Sequence, residues 1–97
     1  MWRINIEING HKTQALVDSG ASGNFIQHDF VQTRKITVKR KLQPYKLMMF
    51  SGSAPQGPKG IVQWETTTTR VCIDQHQEEI SLDVVHMAKN HVVLGLP

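Results

Sequence analysis

An acidic residue closes the apolar run Ala15-Leu16-Val17-Asp18, and only small residues follow it directly: Ser19-Gly20-Ala21-Ser22-Gly23. A carboxylate at the end of an apolar strand needs its charge managed. Gly20 lets backbone N–H groups approach closely, and Ser19 offers a further hydrogen bond. A site of this kind orients a carboxylate. One carboxylate alone performs half of the acid–base work of amide hydrolysis. Two that share a proton perform all of it: the ionised one activates a water, and the protonated one donates to the carbonyl oxygen. Such a pair titrates as a unit. The chain holds one Asp-Ser-Gly, since Asp29 is followed by Phe30, Asp74 by Gln75 and Asp83 by Val84. The second carboxylate therefore has to come from a second copy across a two-fold axis. Taken alone, the residues leave a plainer reading open, in which Asp18 is a turn residue that caps its own loop.

Other chemistries find little support. His11, His28, His76, His86 and His91 are scattered, with no His-x-x-x-His pair, so no metal site is expected. The single Cys72 excludes an internal disulfide and a multi-cysteine zinc site, and its apolar surroundings suggest a core or interface residue. Ser19 and Ser22 have no paired histidine motif that would make either a nucleophile. Trp2 and Trp64 are read as packing residues. No cofactor is implied.

The elements that position Asp18 are strands. Trp2, Ile4, Ile6 and Ile8 alternate with polar residues, Asn9-Gly10 is a favoured tight turn, and a second strand runs from about His11 to Val17. After the glycine-rich loop, Asn24 to Val31 reads as one short helix capped by Ser22 or Asn24. Residues 36–50 are β-rich, with Pro44 marking an edge or turn. The breaker-rich stretch from Ser51 to Gly60 is flanked by strand signals and reads as a long hairpin with a projecting tip. The run Thr66-Thr67-Thr68-Thr69 suits a strand. Val71, Ile73, Ile80, Leu82 and Val84 alternate around Asp74-Gln75-His76-Gln77 as another hairpin, and Val92-Val93-Leu94-Gly95-Leu96-Pro97 reads as a buried apolar strand stopped by glycine and proline. About seven strands and one helical turn make an all-β domain of barrel or sandwich type.

The 97 residues allow one domain. With 39% hydrophobic and 20% charged residues, the chain is neither a disordered tail nor a membrane span, and its first residues alternate too regularly for a signal peptide. The net charge of +3 has one source. Arg34, Lys35, Lys39, Arg40, Lys41 and Lys46 occur without an acid between them, leaving five bases against eight acids elsewhere. No aromatic residue lies among the bases from Arg34 to Lys41, so this run reads as a solvated face and nucleic acid is not an expected partner.

The segment Ala15-Leu16-Val17-Asp18-Ser19-Gly20-Ala21-Ser22 resembles the active-site segment of retroviral-type aspartic proteases, the retropepsins. Its continuation through Gly23-Asn24-Phe25-Ile26 to Phe30-Val31 is closer to the protease of Ty3/Gypsy-type LTR retrotransposons and of genes domesticated from them. Val92-Val93-Leu94-Gly95-Leu96-Pro97 is similar to the second signature of that family, and the hairpin at 73–80 also fits. Together these cover almost the whole chain and favour the catalytic reading of Asp18.

The resemblance implies a small closed, barrel-like acid-protease fold with a flap hairpin and one short helix. Residues 1–97 would form a single retropepsin-like domain lacking the C-terminal helix and interface strand of full-length relatives. Asp18 would be the catalytic aspartate. Ser19 would link the two loops across the dimer axis, and the Gly20 carbonyl would accept a substrate N–H. Ala21 would line a side-chain pocket, with Ser22 and Gly23 facing the substrate backbone. Val93 would point into the groove, and Leu94 and Gly95 would pack beside the catalytic loop. Ser53, Ala54, Pro55, Gln56 and Gly57 would belong to the flap over the substrate. Pro55 and Pro58 cannot donate N–H bonds there. The implied protein is an intracellular, cytoplasmic homodimeric endopeptidase acting on extended peptides or its own polyprotein. The alternative is an inactive domain of the same fold that binds a peptide or protein.

Overall fold

The structure, a computed structural model, describes residues 2–47 and 60–95. Strands β1 (Trp2–Ile8) and β2 (His11–Asp18) form the expected hairpin, from Trp2 opposite Val17 to Ile8 opposite His11. Its turn residues Asn9 and Gly10 have φ of 49° and 85°, the left-handed pair that a two-residue connection between twisted strands requires. Ile6, Ile8, Ala15 and Val17 are buried.

The short helix lies further along than the sequence suggested. Residues Asn24–Gln27 form strand β3, and α1 spans His28–Arg34. Neither Ser22 nor Asn24 caps it: the N-cap is Gln27, which makes no side-chain cap bond. The reason lies in Phe25 and Ile26, adjacent residues that are both buried. A strand with neighbours on both sides and cover on both faces can bury two consecutive side chains in opposite directions. Ile26 enters the main core, and Phe25 enters a second cluster with Val62 and Val85. Phe30 and Val31 then seat α1 against the main core. The helix ends at Lys35, whose φ of 54° is a left-handed cap, with its N–H donating to the Gln32 carbonyl.

Strand β4 (Val38–Lys46) pairs antiparallel with β5 (Ile61–Thr66), and the Leu47 N–H donates to the Gly60 carbonyl at 3.0 Å. These are the two sides of the expected long hairpin. Its tip, including Ser53, Ala54, Pro55, Gln56 and Gly57, lies outside the described residues. The register shifts between Arg40 and Tyr45, and Pro44 sits on this edge strand, where a missing N–H costs no ladder bond.

The threonine run is divided between two strands. Thr66 ends β5, and Thr69 begins β6 (Thr69–Ile73). Both are fully buried, and their hydroxyls serve the backbone at the crossover. The Thr66 Oγ1 accepts the Leu82 N–H at 2.9 Å, and the Thr69 hydroxyl donates to the Thr67 carbonyl at 2.7 Å. Strands β7 (His76–Ile80), β8 (Asp83–Val85) and β9 (Val92–Gly95) complete the set. Among the described residues there are nine strands rather than seven, since β3 replaces part of the expected helix and β8 separates from the hairpin before it. They form one sheet in the order β4-β5-β8-β3-β9-β2-β1-β6-β7. The class is all-β with one short helix. Its barrel stays open, with β4 and β7 as edges.

One polar clamp holds β4 to the sheet. The Lys41 ammonium lies 2.9 Å from Asp83 Oδ1 and 3.6 Å from Glu65 Oε1, and the Tyr45 hydroxyl donates to Asp83 Oδ2. Asp83 holds the Lys41 ammonium above its ordinary pKa of 10.5, against the opposing effect of burial. Burial, followed by the hydrogen bond to Asp83, raises the Tyr45 phenol above 10. Both groups thus keep their protons to higher pH folded than unfolded. Their stabilisation is complete below about pH 10 and is lost as pH rises beyond it. The urea midpoint is expected to fall above pH 10, and Asp83→Asn should lower the midpoint at neutral pH and make that alkaline fall shallower. Thr66→Val should cost about 1–3 kcal/mol in urea unfolding, because it strands the buried Leu82 N–H without its acceptor.

Candidate active site

Asp18 is the last residue of β2, and what fixes it is β9. This strand lies between β2 and β3, parallel to the first and antiparallel to the second. Val17 is opposite Leu94 and Asp18 is opposite Gly95, while Asn24 and Phe25 are opposite Leu94 and Val93. The loop from Ser19 to Gly23 therefore arches from one side of β9 to the other. The Asp18 carbonyl accepts the Ala21 N–H at 3.1 Å, and the Asp18 Oδ1 accepts the Gly20 N–H at 2.9 Å. One carboxylate oxygen is thus held by the loop's own backbone. The side chain is half-buried, and Ser19 and Gly20 are exposed beside it.

Gly95 locks the far side of the loop. Its N–H is shared between the Gly23 carbonyl and the Asn24 Oδ1, both at 3.1 Å. A Cβ at this position would fall 2.7 Å from each of the Ala21 and Gly23 carbonyl oxygens. No side chain larger than hydrogen fits without moving loop backbone. Asn24 is the residue that sequence reasoning missed. Its side chain serves this lock instead of a helix, and the available signal was an amide placed directly before a buried apolar pair.

The other expected site residues fall around the same loop. Ala21 and Val93 are both partly buried against the Phe25, Val62 and Val85 cluster, so they share one side of the site. Ser22 is exposed and Gly23 partly buried. Leu94 packs on the main core beneath the loop. Beside the loop lies an open cavity of about 640 Å³, lined by Ala21, Ser22, Gly23, Asn24 and Gly95 on the loop side and by Trp2, Ile4, Val17, Val71, Ile73, Glu78, Ile80 and Leu94 on the other, and Asp18 is not part of its lining. Trp2 is 55% exposed there rather than packed in the core.

The approach to β9 is fixed by His91. Its ring stacks on Phe30 at 4.5 Å, its Nδ1 lies 2.6 Å from the Thr13 Oγ1, and its carbonyl accepts the Gln27 N–H. His28 stacks on His86 at 4.4 Å. Among the described residues, no three His, Cys, Asp or Glu side chains are grouped to hold a metal, and no helix is long and apolar enough to cross a membrane.

An Asp-Ser-Gly loop arched over a strand that ends in a compressed glycine, within an all-β domain, defines the retropepsin fold. Solved structures share it. The retroviral protease-like domain of Ddi1 from Leishmania major superposes with a TM-score of 0.65 at 18% identity, over 98% of this chain and 71% of that one. EIAV protease, solved with the inhibitor HBY-793, gives 0.61 at 18% identity, over 96% of this chain and 79% of that one. Residues 14–97 match the family model of the PEG10/RTL1 protease domain. The chain belongs to this family and is a retropepsin-like protease domain.

The lock at Gly95 is directly testable. Gly95→Ala should cost at least about 1–3 kcal/mol in urea unfolding, the usual cost of an overpacked site, because the atoms it meets are backbone. An unchanged midpoint would show that the loop yields freely.

Proposed function

We propose that this chain is one half of an aspartic endopeptidase, active when two copies bring their Asp18 carboxylates together. The observation that carries this reading is the placement of Asp18. It ends a core strand, one of its oxygens is held by the Gly20 N–H, and among the described residues it forms no ion pair with a cation. In the paired state one carboxylate is ionised and one protonated. The ionised group takes a proton from water as that water attacks the scissile carbonyl, and its partner donates to the carbonyl oxygen. The tetrahedral diol collapses when the departing amine takes a proton. Ser19 would brace the two loops, and the Gly20 carbonyl would receive a substrate N–H. Ala21 and Val93 would accept apolar side chains, while Ser22 and Gly23 would face the backbone of an extended peptide. The hairpin carried by β4 and β5 would cover it. The proposed substrate is a polypeptide, including the protein's own precursor, and no cofactor is needed.

Digestion of a random peptide library under mildly acidic conditions, across a protein dilution series, tests this. Cleavage is expected to fall faster than in proportion to concentration as dimers dissociate. Asp18→Asn keeps an oxygen for the Gly20 N–H, so it should unfold like the parent yet lose about 10²–10⁴-fold or more in rate. Cleavage retained by the variant would refute the assignment. Absence of product at every concentration would favour a domain that binds without cutting.

A further inference from the structure

The basic run from Arg34 to Lys46 looks featureless in sequence, but the fold supplies what it lacks. Lys41 is matched to Asp83 and Glu65. Arg34, Lys35, Lys39, Arg40 and Lys46 are all exposed, and none forms an ion pair with a described residue. They run from the end of α1 along β4, an edge strand of the sheet. The run's own aromatic residue, Tyr45, is tied to Asp83, and a second comes from the neighbouring strand. Trp64 on β5 is opposite Arg40, whose guanidinium lies 5.2 Å from the centre of the indole ring. Trp64 remains 40% exposed, and Leu42 nearby on the same edge is 98% exposed.

We infer that this edge binds single-stranded nucleic acid. Five uncompensated bases suit a chain of phosphates. An exposed indole with a guanidinium on its face is a surface on which a base can stack, a feature an acidic peptide would not use. The two grooves of a duplex offer no unstacked base for it, so the single strand is the ligand that uses both halves of the surface. The edge lies five strands from β2 in the sheet order, on the two strands whose hairpin is proposed to cover the substrate, and binding there requires nothing of the Asp18 carboxylate.

The test uses Trp2→Phe, which leaves Trp64 as the one tryptophan, titrated with 12-nucleotide oligouridylate and oligothymidylate. Saturable quenching of Trp64 emission is expected at 50 mM salt. Affinity should fall about 10–100-fold between 50 and 200 mM salt, as for three to five neutralised phosphates. Trp64→Leu should weaken binding about 5–100-fold by anisotropy of a labelled oligonucleotide, and Lys39→Gln with Arg40→Gln should reduce the salt dependence. Quenching in the Trp2→Phe protein reports on the native Trp64, so the proposal stays testable if Trp64→Leu does not fold. No saturable binding at 50 mM salt would overturn it. So would binding without quenching, or oligoglutamate binding as tightly as the oligonucleotides.

Discussion

The site rests on a steric limit at one backbone position. Between the Ala21 and Gly23 carbonyls there is room for a hydrogen atom at residue 95 and nothing larger. That closeness lets a single N–H serve both the Gly23 carbonyl and the Asn24 side chain, and it sets Gly95 level with Asp18 across the β2–β9 pair. The loop's curvature follows from the same fit, and within that loop the Gly20 N–H orients the carboxylate. Interiors at native density do not deform continuously, so a loop clamped in this way holds its acid in one place.

Much of this was readable in the chain. The period-two alternation and Asn9-Gly10 located the turn of the first hairpin to the residue, because local chemistry alone decides such a turn. Asp18-Ser19-Gly20 and the closing apolar strand marked the two halves of the site. What escaped was decided by neighbours distant in sequence. Phe25 and Ile26 look as well suited to a helix as to a strand until β8 and β9 are placed on both sides of them. Four consecutive threonines give no sign that two will be fully buried and spend their hydroxyls on backbone groups at a strand crossover. Lys41 stands in the basic run like its neighbours, and only Asp83, 42 positions later, sets it apart. Trp2 and Trp64 look like core residues by type, yet both lie at the surface.

The charge distribution follows the same division. The alkaline half of the composition is collected on α1 and β4, at one edge of the sheet, while the opposite edge, β7, carries Glu78 and Glu79. The Asp18 loop lies between them, on the inner strands. The basic surface and the Asp18 loop therefore reside on different strands. The Asp83 clamp is where they meet, since it neutralises one base of the run while fastening β4 to the sheet.

The threading of β9 between β2 and β3 has a consequence for biosynthesis. Asp18 leaves the ribosome first, and the strand that holds its loop is made more than seventy residues later. At about 5–20 residues per second, translation keeps these two halves apart for several seconds. During that interval β2 and β3 have no shared neighbour, and the loop has no anchor. A nascent chain therefore carries its acid long before it carries the strand that seats the loop around it.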